Sequence, residues 1–573
     1  MIDSSSRIGR SRTCPSGPMR CPMNAMPKRS VSCLASAPSP KLHRSLGAIA
    51  ALLAAGTLAA GALAACDQSG SAVAAQLPTA SMPTAAGPGA VPVAEATPLM
   101  APHACGARIK ELAIFQAVKV PLVVEGEPVA TLTAPLIEGR RAFFRAYIAF
   151  DDSGVRGNAR AHLRLASSLG QWNVPADTYL GQDSVEGDVN STVNFDVPAD
   201  LMRGDVRVGV DLELGSGCNG GSTKSYPTNG LLPLSLQNTG VMKVTLVPVL
   251  YDADKSSRPP DTSPAQLASY RDVLMAYYPI ADVQITVREP VHSDIALSAG
   301  GGWSRFLNAI AAQRDADKVP SDVHYYALVS PAKDFRSYCS MSCIAGLSYL
   351  ADVPSSGKQV GAGIGFPGTD AGDTMAHELG HQHGRGHAPC GAMDGLDPRY
   401  PTFDTYAGAG LGSWGLDFRS GKLQSPTRSK DLMSYCTPIW ISDYTYGLLA
   451  IRRLAITQGA TPRVIDAAPD GLEKPHFRGF RSLLAEPDGR PVWGRPITDR
   501  GQPVGTPEIA RALDAQGKVV AEVTVYRTSY GDGAAGSSIE VPQPAAGWAS
   551  LQVAGQSAIS FAAEPVVPAL RPM

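Results

Sequence analysis

Residues 377–387 read HELGHQHGRGH, and this stretch determines how the rest of the chain is interpreted. On a helix, His377 and His381 lie four residues apart, so both imidazoles leave the same face and can grip one metal ion. Gly384 favours a positive φ, which would end the helix and turn the chain so that His387 supplies a third nitrogen ligand. Three protein ligands with an open fourth position are typical of a catalytic zinc ion, because a structural site closes that position.

Glu378 follows the first histidine, and Met433 and Tyr435 lie further along in the segment KDLMSYC. The long histidine motif followed by a methionine-containing turn resembles the metzincin superfamily of zinc endopeptidases. The resemblance implies one catalytic Zn²⁺, with Glu378 as general base and acid and Met433 beneath the metal site. It also implies that Tyr435 stands near the metal and donates to the oxyanion, with simple packing as the alternative. His383 is expected to be a solvated or supporting residue.

The resemblance covers only the central part of the chain. The residue after the third histidine is Ala388, which does not place the chain in a well-studied metzincin family. An exported chain with a β domain before the catalytic domain is similar in plan to mucin-cleaving bacterial enzymes. The expected partner is therefore a protein or peptide substrate, with glycoproteins among the candidates.

Two other functions stay open at this point. The chain could be a surface adhesin or binding scaffold whose protease-like domain has little or no turnover, although the intact Glu378 argues against this. It could also be a zinc-dependent hydrolase of a non-peptide substrate, an alternative that the turn around Met433 disfavours.

The overall charge gives no reason to expect a nucleic-acid partner. The 573 residues include 50 Lys and Arg against 51 Asp and Glu, a formal net charge of −1, and no basic stripe is present. A hydrophobic share of 44% and a charged share of 18% are typical of a folded soluble protein. The length favours several domains, and we expect a monomer.

Residues 1–65 are predicted to be a signal-peptide region. Lys41 and Arg44 precede an uncharged apolar run, residues 46–65, which ends in the sequence LAAC at Cys66. This ending resembles a bacterial lipoprotein signal. The resemblance implies acylation of Cys66 and a membrane-anchored protein in the periplasm or on the cell surface. A plain signal peptide cut near an incidental cysteine and a transmembrane anchor are the alternatives.

Six cysteines follow the predicted lipidation site, an even number that suggests disulfides in an exported chain. Many pairings are possible, and those that we expect are Cys105–Cys218, Cys339–Cys343 and Cys390–Cys436. The last pair would join the loop after the third histidine to the turn around Met433. Metal ligation by some of these cysteines is the alternative.

Composition and periodicity divide the remaining chain into four segments. They are an Ala- and Pro-rich disordered tether at 66–103, a β-sandwich-like domain at 104–238, a metzincin-like domain at 240–460 and a second β-sandwich-like domain at 462–573. Strands alternate with helices in the third segment, which predicts a central α/β (α+β) architecture. In the second segment, residues 151–154 read DDSG and are predicted to end a strand at Phe150.

Overall fold

The computed structural model describes most of the chain beyond the predicted tether. The described residues are 104–214, 218, 224–340, 343–351, 358–392, 394–459, 480–485, 490–497, 503–531, 536–565 and 570–573. The predicted signal region, Cys66 and the tether lie outside them. Within these ranges the chain is mostly β structure arranged in several sheets, with few helices. No helix in this part of the chain is both long enough and apolar enough to cross a membrane.

The N-terminal region consists of strands and two short 3-10 helices. Its strands are β1 (Cys105–Phe115), β2 (Lys119–Val124), β3 (Glu127–Pro128), β4 (Leu136–Ile137), β5 (Ala142–Val155), β6 (Gly157–Ser167), β7 (Gly170–Leu180), β8 (Val193–Val197), β9 (Arg207–Glu213), β10 (Ser225–Tyr226), β11 (Leu232–Pro233) and β12 (Leu236–Gln237), and the 3-10 helices are Val189–Ser191 and Ala199–Leu201. They form two five-stranded sheets, one ordered β3-β2-β1-β5-β8 and the other β10-β9-β6-β7 with β11 on β9, and a small β12-β4 pair.

One strand in this region is longer than the sequence predicts. The expected turn at residues 151–154 lies inside β5, so that prediction was wrong. The reason is tertiary, because β5 pairs with β1 again at Cys105 and Val155 after a register shift that follows the pair Ala107 and Phe150. Residues 151–154 have no partner on β1, so the Asp, Ser and Gly residues form an irregularity within the strand and do not end it.

The central region alternates strands and helices as predicted. Its elements are β13 (Val241–Tyr251), α1 (Pro264–Tyr277), β14 (Asp282–Val287), β15 (Val291–Ser293), α2 (Trp303–Ala316), β16 (Val323–Val329), α3 (Phe335–Tyr338), β17 (Gly346–Ser348), β18 (Val360–Ile364), α4 (Thr369–Gln382), the 3-10 helix Asp404–Tyr406, β19 (Gly415–Asp417), β20 (Lys422–Gln424), β21 (Lys430–Asp431), β22 (Ile439–Trp440) and α5 (Asp443–Thr457). Helix α1 begins at Pro264, and Ser263 before it caps the first turn by accepting a hydrogen bond from the Gln266 N–H (3.3 Å).

The central sheet has the order β17-β18-β16-β13-β15, with β14 also paired to β13. Strands β13, β14, β15, β16 and β18 pair in parallel, whereas β17 is an antiparallel strand at one edge, next to β18. A mainly parallel sheet must be covered on its faces, and α1, α2 and α4 pack against it. Strand β17 and helix α4 are the two elements that build the candidate site.

The C-terminal region is a single seven-stranded sheet with its own core. Its strands are β23 (Phe480–Ala485), β24 (Pro491–Ile497), β25 (Thr506–Leu513), β26 (Val519–Ser529), β27 (Ser537–Pro542), β28 (Ser550–Gln552) and β29 (Ile559–Ser560), in the order β24-β23-β27-β26-β25-β28-β29. The final strand, β30 (Arg571–Pro572), leaves this sheet and pairs with β15 of the central sheet. A buried ion pair between Lys358 and Glu540 (3.0 Å) also joins the two regions.

A buried arginine helps to join the N-terminal region to the central region. The guanidinium of Arg140 donates to the carbonyl oxygens of Met275 (2.6 Å) and Tyr278 (2.7 Å) at the C-terminal end of α1. These carbonyls have no partner within the helix, and a cation there also offsets the helix dipole. Burial lowers the pKa of Arg140 from its ordinary value.

All three expected disulfides are present. They are Cys105–Cys218, Cys339–Cys343 and Cys390–Cys436, with Cα–Cα distances of 5.0, 5.5 and 5.7 Å. The prediction from cysteine count and position is therefore confirmed, and the cysteines are not metal ligands.

Candidate metal centre

Helix α4 carries the first two histidines on one face, as their spacing requires. The helix ends at Gln382, and Gly384 adopts a φ of +77°. A Cβ at Gly384 would also lie 2.8 Å from the carbonyl oxygen of Ala351, so both conformation and space require glycine here. The chain can therefore leave the helix and turn back towards its own last turn.

Backbone pairing then fixes the third histidine. The His387 N–H donates to the carbonyl of Gly395 (2.8 Å), and the His387 carbonyl accepts from the Asp397 N–H (2.8 Å). Possible ligand atoms of His377, His381 and His387 all lie within 4.8 Å of one another. The structure thus brings together the three histidines that the sequence motif selects.

Each of the three rings is oriented by a backbone carbonyl. The Nδ1 atoms of His377, His381 and His387 lie 2.8, 2.7 and 2.7 Å from the carbonyl oxygens of Leu432, Arg385 and Asp394, respectively. Because a carbonyl only accepts, each Nδ1 carries the proton and each neutral ring presents the lone pair of its Nε2. This second layer of contacts is the one that orients metal-binding histidines.

The spacing of two of these lone pairs fits a shared cation. The Nε2 atoms of His377 and His381 are 3.1 Å apart, although neither has a proton to donate to the other. Two nitrogens bound tetrahedrally to one zinc ion at about 2.0–2.1 Å lie roughly 3.3 Å apart. The donor set can therefore hold a metal ion.

The environment favours the neutral form of the first two rings. Burial, with a further contribution from nearby His387, lowers the pKa of His377 to about 3. Burial also lowers the pKa of His381 well below its ordinary value, and His377 and His387 add to the effect. Neutral imidazole is the form that binds metals.

Glu378 lies beside the histidines and against the edge strand. Its side chain is only 5% exposed, and a Cβ added at Gly346 would lie 2.7 Å from its Cγ and Oε1 atoms. The backbone of β17 therefore passes directly over the carboxyl group. Sequence reasoning did not identify Gly346, because only the folded sheet brings it to Glu378.

Met433 lies under the metal-binding helix. It is buried, and a Cβ at Gly380 would collide with its Sδ atom. Its carbonyl accepts a hydrogen bond from the Ala388 N–H (2.9 Å). The turn around Met433 thus supports both α4 and the loop of the third histidine, and the neighbouring Leu432 supplies the carbonyl that orients His377.

The turn around Met433 is organised by Asp431, a residue that sequence reasoning missed. Its fully buried carboxylate accepts hydrogen bonds from the N–H groups of Met433 (2.8 Å) and Ser442 (2.9 Å). Burial raises the pKa of Asp431, although these hydrogen bonds oppose the rise. An acidic residue two positions before the methionine, bonding to the backbone of its own turn, is the signal that could have identified it.

Tyr435 stands at the open side of the site. Its side chain is 51% exposed, and its ring centroid lies 4.8 Å from that of His387 and 5.7 Å from that of His377. The Tyr435 N–H donates to the carbonyl of Cys390 (2.9 Å), within the segment that the Cys390–Cys436 disulfide closes. The exposed ring of Tyr435, with its hydroxyl group, therefore lies beside two of the three histidines.

His383 does not join the other histidines. Its ring stacks on His324 (centroids 4.4 Å apart), and its Nδ1 donates to the Leu379 carbonyl (2.7 Å). It is fully buried, so the expectation of a solvated side chain was wrong. His383 lies one position beyond the last residue of α4, and its ring points towards β16, which carries His324.

Comparison with known proteins does not assign the chain to a family. No family model matches the chain, and no curated protein matches it. A solved structure titled "Structure of a chaperone-substrate complex" is similar over 47% of this chain and 39% of its own length, with 10% sequence identity and a TM-score of 0.22. Similarity at this level carries no argument about fold or function.

Proposed function

We propose that the chain is a zinc-dependent metalloendopeptidase. The observation that carries the proposal is the set of three histidines, His377, His381 and His387, whose ligand atoms lie within 4.8 Å of one another, with the buried carboxyl of Glu378 beside them. Three nitrogen ligands are the donor set of many catalytic zinc sites. The central region from β13 to α5 would be the metzincin-like unit, and the support for this is the antiparallel edge strand, the metal-binding helix and the turn around Met433, in that order.

The chain's own residues account for the proton transfers. A bound zinc ion would supply Lewis acidity at the peptide carbonyl and lower the pKa of water. Glu378 would take the proton of the attacking water and deliver it to the leaving amine. Tyr435, exposed beside His387, would donate a hydrogen bond to the developing oxyanion. The strand β17, at one edge of the central sheet, would hold the peptide by strand addition.

We also propose that the protein is exported and anchored through acylated Cys66. The three disulfides support export, because such bonds persist in oxidising compartments and are rare in the cytosol. Incorporation of radiolabelled palmitate into the expressed chain, and its loss in Cys66→Ala, would test the anchor.

The proteolysis proposal is tested by the termini that the protein creates. The purified zinc-loaded full chain is incubated with a reduced and alkylated unfolded protein, and the products are identified by mass spectrometry. We expect internal cleavage that stops on zinc chelation and returns when zinc is restored. Retention of the unfolded protein without any new terminus would favour the binding-scaffold alternative instead.

A further inference from the structure

The C-terminal region adds a strand-like segment to the edge of the central sheet, next to the metal centre. The Leu350 N–H donates to the Ser529 carbonyl (3.0 Å), and the Gly531 N–H donates to the Ser348 carbonyl (2.7 Å). Tyr349 and Tyr530 form an antiparallel bridge between these two hydrogen bonds. We refer to residues 529–531 as the wall segment.

The wall segment lies directly against a metal-binding histidine. A Cβ added at Gly531 would overlap the ring of His381, and a Cβ at Gly395 would lie 2.9 Å from the Gly531 carbonyl oxygen. The φ of Gly531 is not in the left-handed region, so it is the contact with His381 that requires a glycine. The C-terminal region is therefore part of the site.

The position of the wall segment limits how a peptide can bind. A peptide pairing antiparallel with β17, the more stable arrangement, would place its N-terminal residues beside residues 348–350. The wall segment already uses the hydrogen-bonding groups of Ser348 and Leu350 there. Residues that precede the scissile bond therefore cannot continue along this edge of the sheet.

A cavity of about 540 Å³ opens beside the wall segment. It lies between the loop that carries the third histidine and the C-terminal region. Its lining includes the apolar residues Leu350, Leu396 and Pro398 and the charged residues Asp397, Arg399 and Arg527. This volume falls in the range of about 300–1,000 Å³ that is usual for binding sites. Leu396 is 44% exposed and is bridged through its backbone to His387, so it presents apolar surface beside the metal centre.

We infer that this cavity receives the substrate residues that precede the scissile bond, that the wall segment of the C-terminal region directs them into it, and that apolar side chains pack there on Leu396. The inference rests on the proposed function, and it assigns specificity to a cavity that the metzincin-like unit and the C-terminal region line together. Leu396 and Ser529 are exposed residues of its lining, one from each side of the cavity.

The test measures binding, so that it does not depend on turnover. Two hydroxamate probes are titrated by calorimetry into the zinc-loaded full chain carrying Glu378→Gln. An acetylated tripeptide with a C-terminal hydroxamate occupies the side that precedes the scissile bond. A tripeptide amide with an N-terminal hydroxamate occupies the side that follows it. Each is made with leucine or lysine nearest the hydroxamate.

Leu396→Glu should lower the ratio of leucine-probe to lysine-probe affinity by about tenfold for the C-terminal hydroxamates. The leucine probe loses an apolar contact, and the lysine probe gains a partly exposed ion pair with the new carboxylate. The same ratio for the N-terminal hydroxamate should change by less than about twofold. Ile509→Glu, at a 55% exposed apolar residue on β25, is the matched control and should change neither ratio. Ser529→Trp should weaken only the C-terminal hydroxamates, whichever residue they carry.

Equal changes for both probes, no change for either, or failure of the C-terminal hydroxamate to bind would overturn the inference. Loss of the proposed function is recognised separately, as absence of cleavage by the protein with Glu378 intact. A protein that cleaves peptides but shows the same ratios after Leu396→Glu would keep the protease and lose the specificity cavity.

Discussion

Replacing the carboxylate of Asp431 should loosen the turn under the metal centre. The carboxylate uses one oxygen for the Met433 N–H and the other for the Ser442 N–H, at 2.8 and 2.9 Å, in a fully buried position. An asparagine side chain at this position would keep one acceptor, so one buried N–H loses its partner, at a cost of about 1–3 kcal/mol in the free energy of unfolding. Because burial disfavours the charged form, removing the charge returns part of that cost. We therefore expect Asp431→Asn in the lower half of this range and Asp431→Ala near its top.

The same change should weaken metal binding, because the Leu432 carbonyl that orients His377 lies in this turn. A loss of about 10–100-fold in zinc affinity is typical when such a supporting contact is disturbed. The assays are urea denaturation of the metal-free chain and competition with a zinc chelator. The matched control is Asp514→Asn. Asp514 is partly exposed, and one of its carboxylate oxygens accepts hydrogen bonds from two backbone N–H groups. Equal and small effects for both variants, with unchanged zinc affinity, would refute the reasoning.

Three further predictions follow from the geometry. His387→Ala should abolish the rise in thermal midpoint that saturating zinc gives the parent, since a ligand that binds the native state stabilises it by mass action; an undiminished rise would remove His387 from the donor set. Burial lowers the pKa of His324 to about 3, so on acidification this histidine is protonated in the unfolded state before it is protonated in the folded state. The free energy of unfolding should therefore fall as the pH drops below about 6.5, by up to about 1.4 kcal/mol per pH unit. The urea midpoint should change less between pH 7 and pH 5 in His324→Phe than in the parent. Opening the 46-residue disulfide loop with Cys390→Ser and Cys436→Ser should lower the free energy of unfolding by about 4 kcal/mol, and a loss under about 1 kcal/mol in denaturant titrations would contradict it.

Local sequence patterns predicted helix α4 and the position of its histidines, but they did not predict the residues that pack around them. The spacing of His377 and His381 and the glycine at Gly384 act within one helix and one turn, so the motif alone indicates where three rings can meet. The three disulfide pairings were expected from the number and positions of the six cysteines that follow Cys66. The histidine site depends on the geometry of one short stretch of chain, and the disulfides depend on a choice among a small number of cysteines.

Contacts made through tertiary packing had no local signal. Gly346 and Gly531 matter because backbone passes within contact distance of Glu378 and His381, and no nearby residue in the sequence indicates this. His383 was expected to be a solvated or supporting residue, and stacking on His324 of β16 buries it. Strand β30 pairs with β15 of the central sheet although the two strands lie far apart in the sequence, and hydrophobic periodicity gives no information about such long-range pairing.

The most direct measurement of the central claim is the cleavage rate of an unfolded protein by the full chain and by Glu378→Gln at matched zinc content. Glu522→Gln, an exposed residue on β26, is the control. We predict that Glu378→Gln binds zinc as the parent does and loses at least about 10²–10⁴-fold in rate, the usual contribution of a general base, while Glu522→Gln keeps the parent rate. A Glu378→Gln protein that cleaves at close to the parent rate would contradict the account.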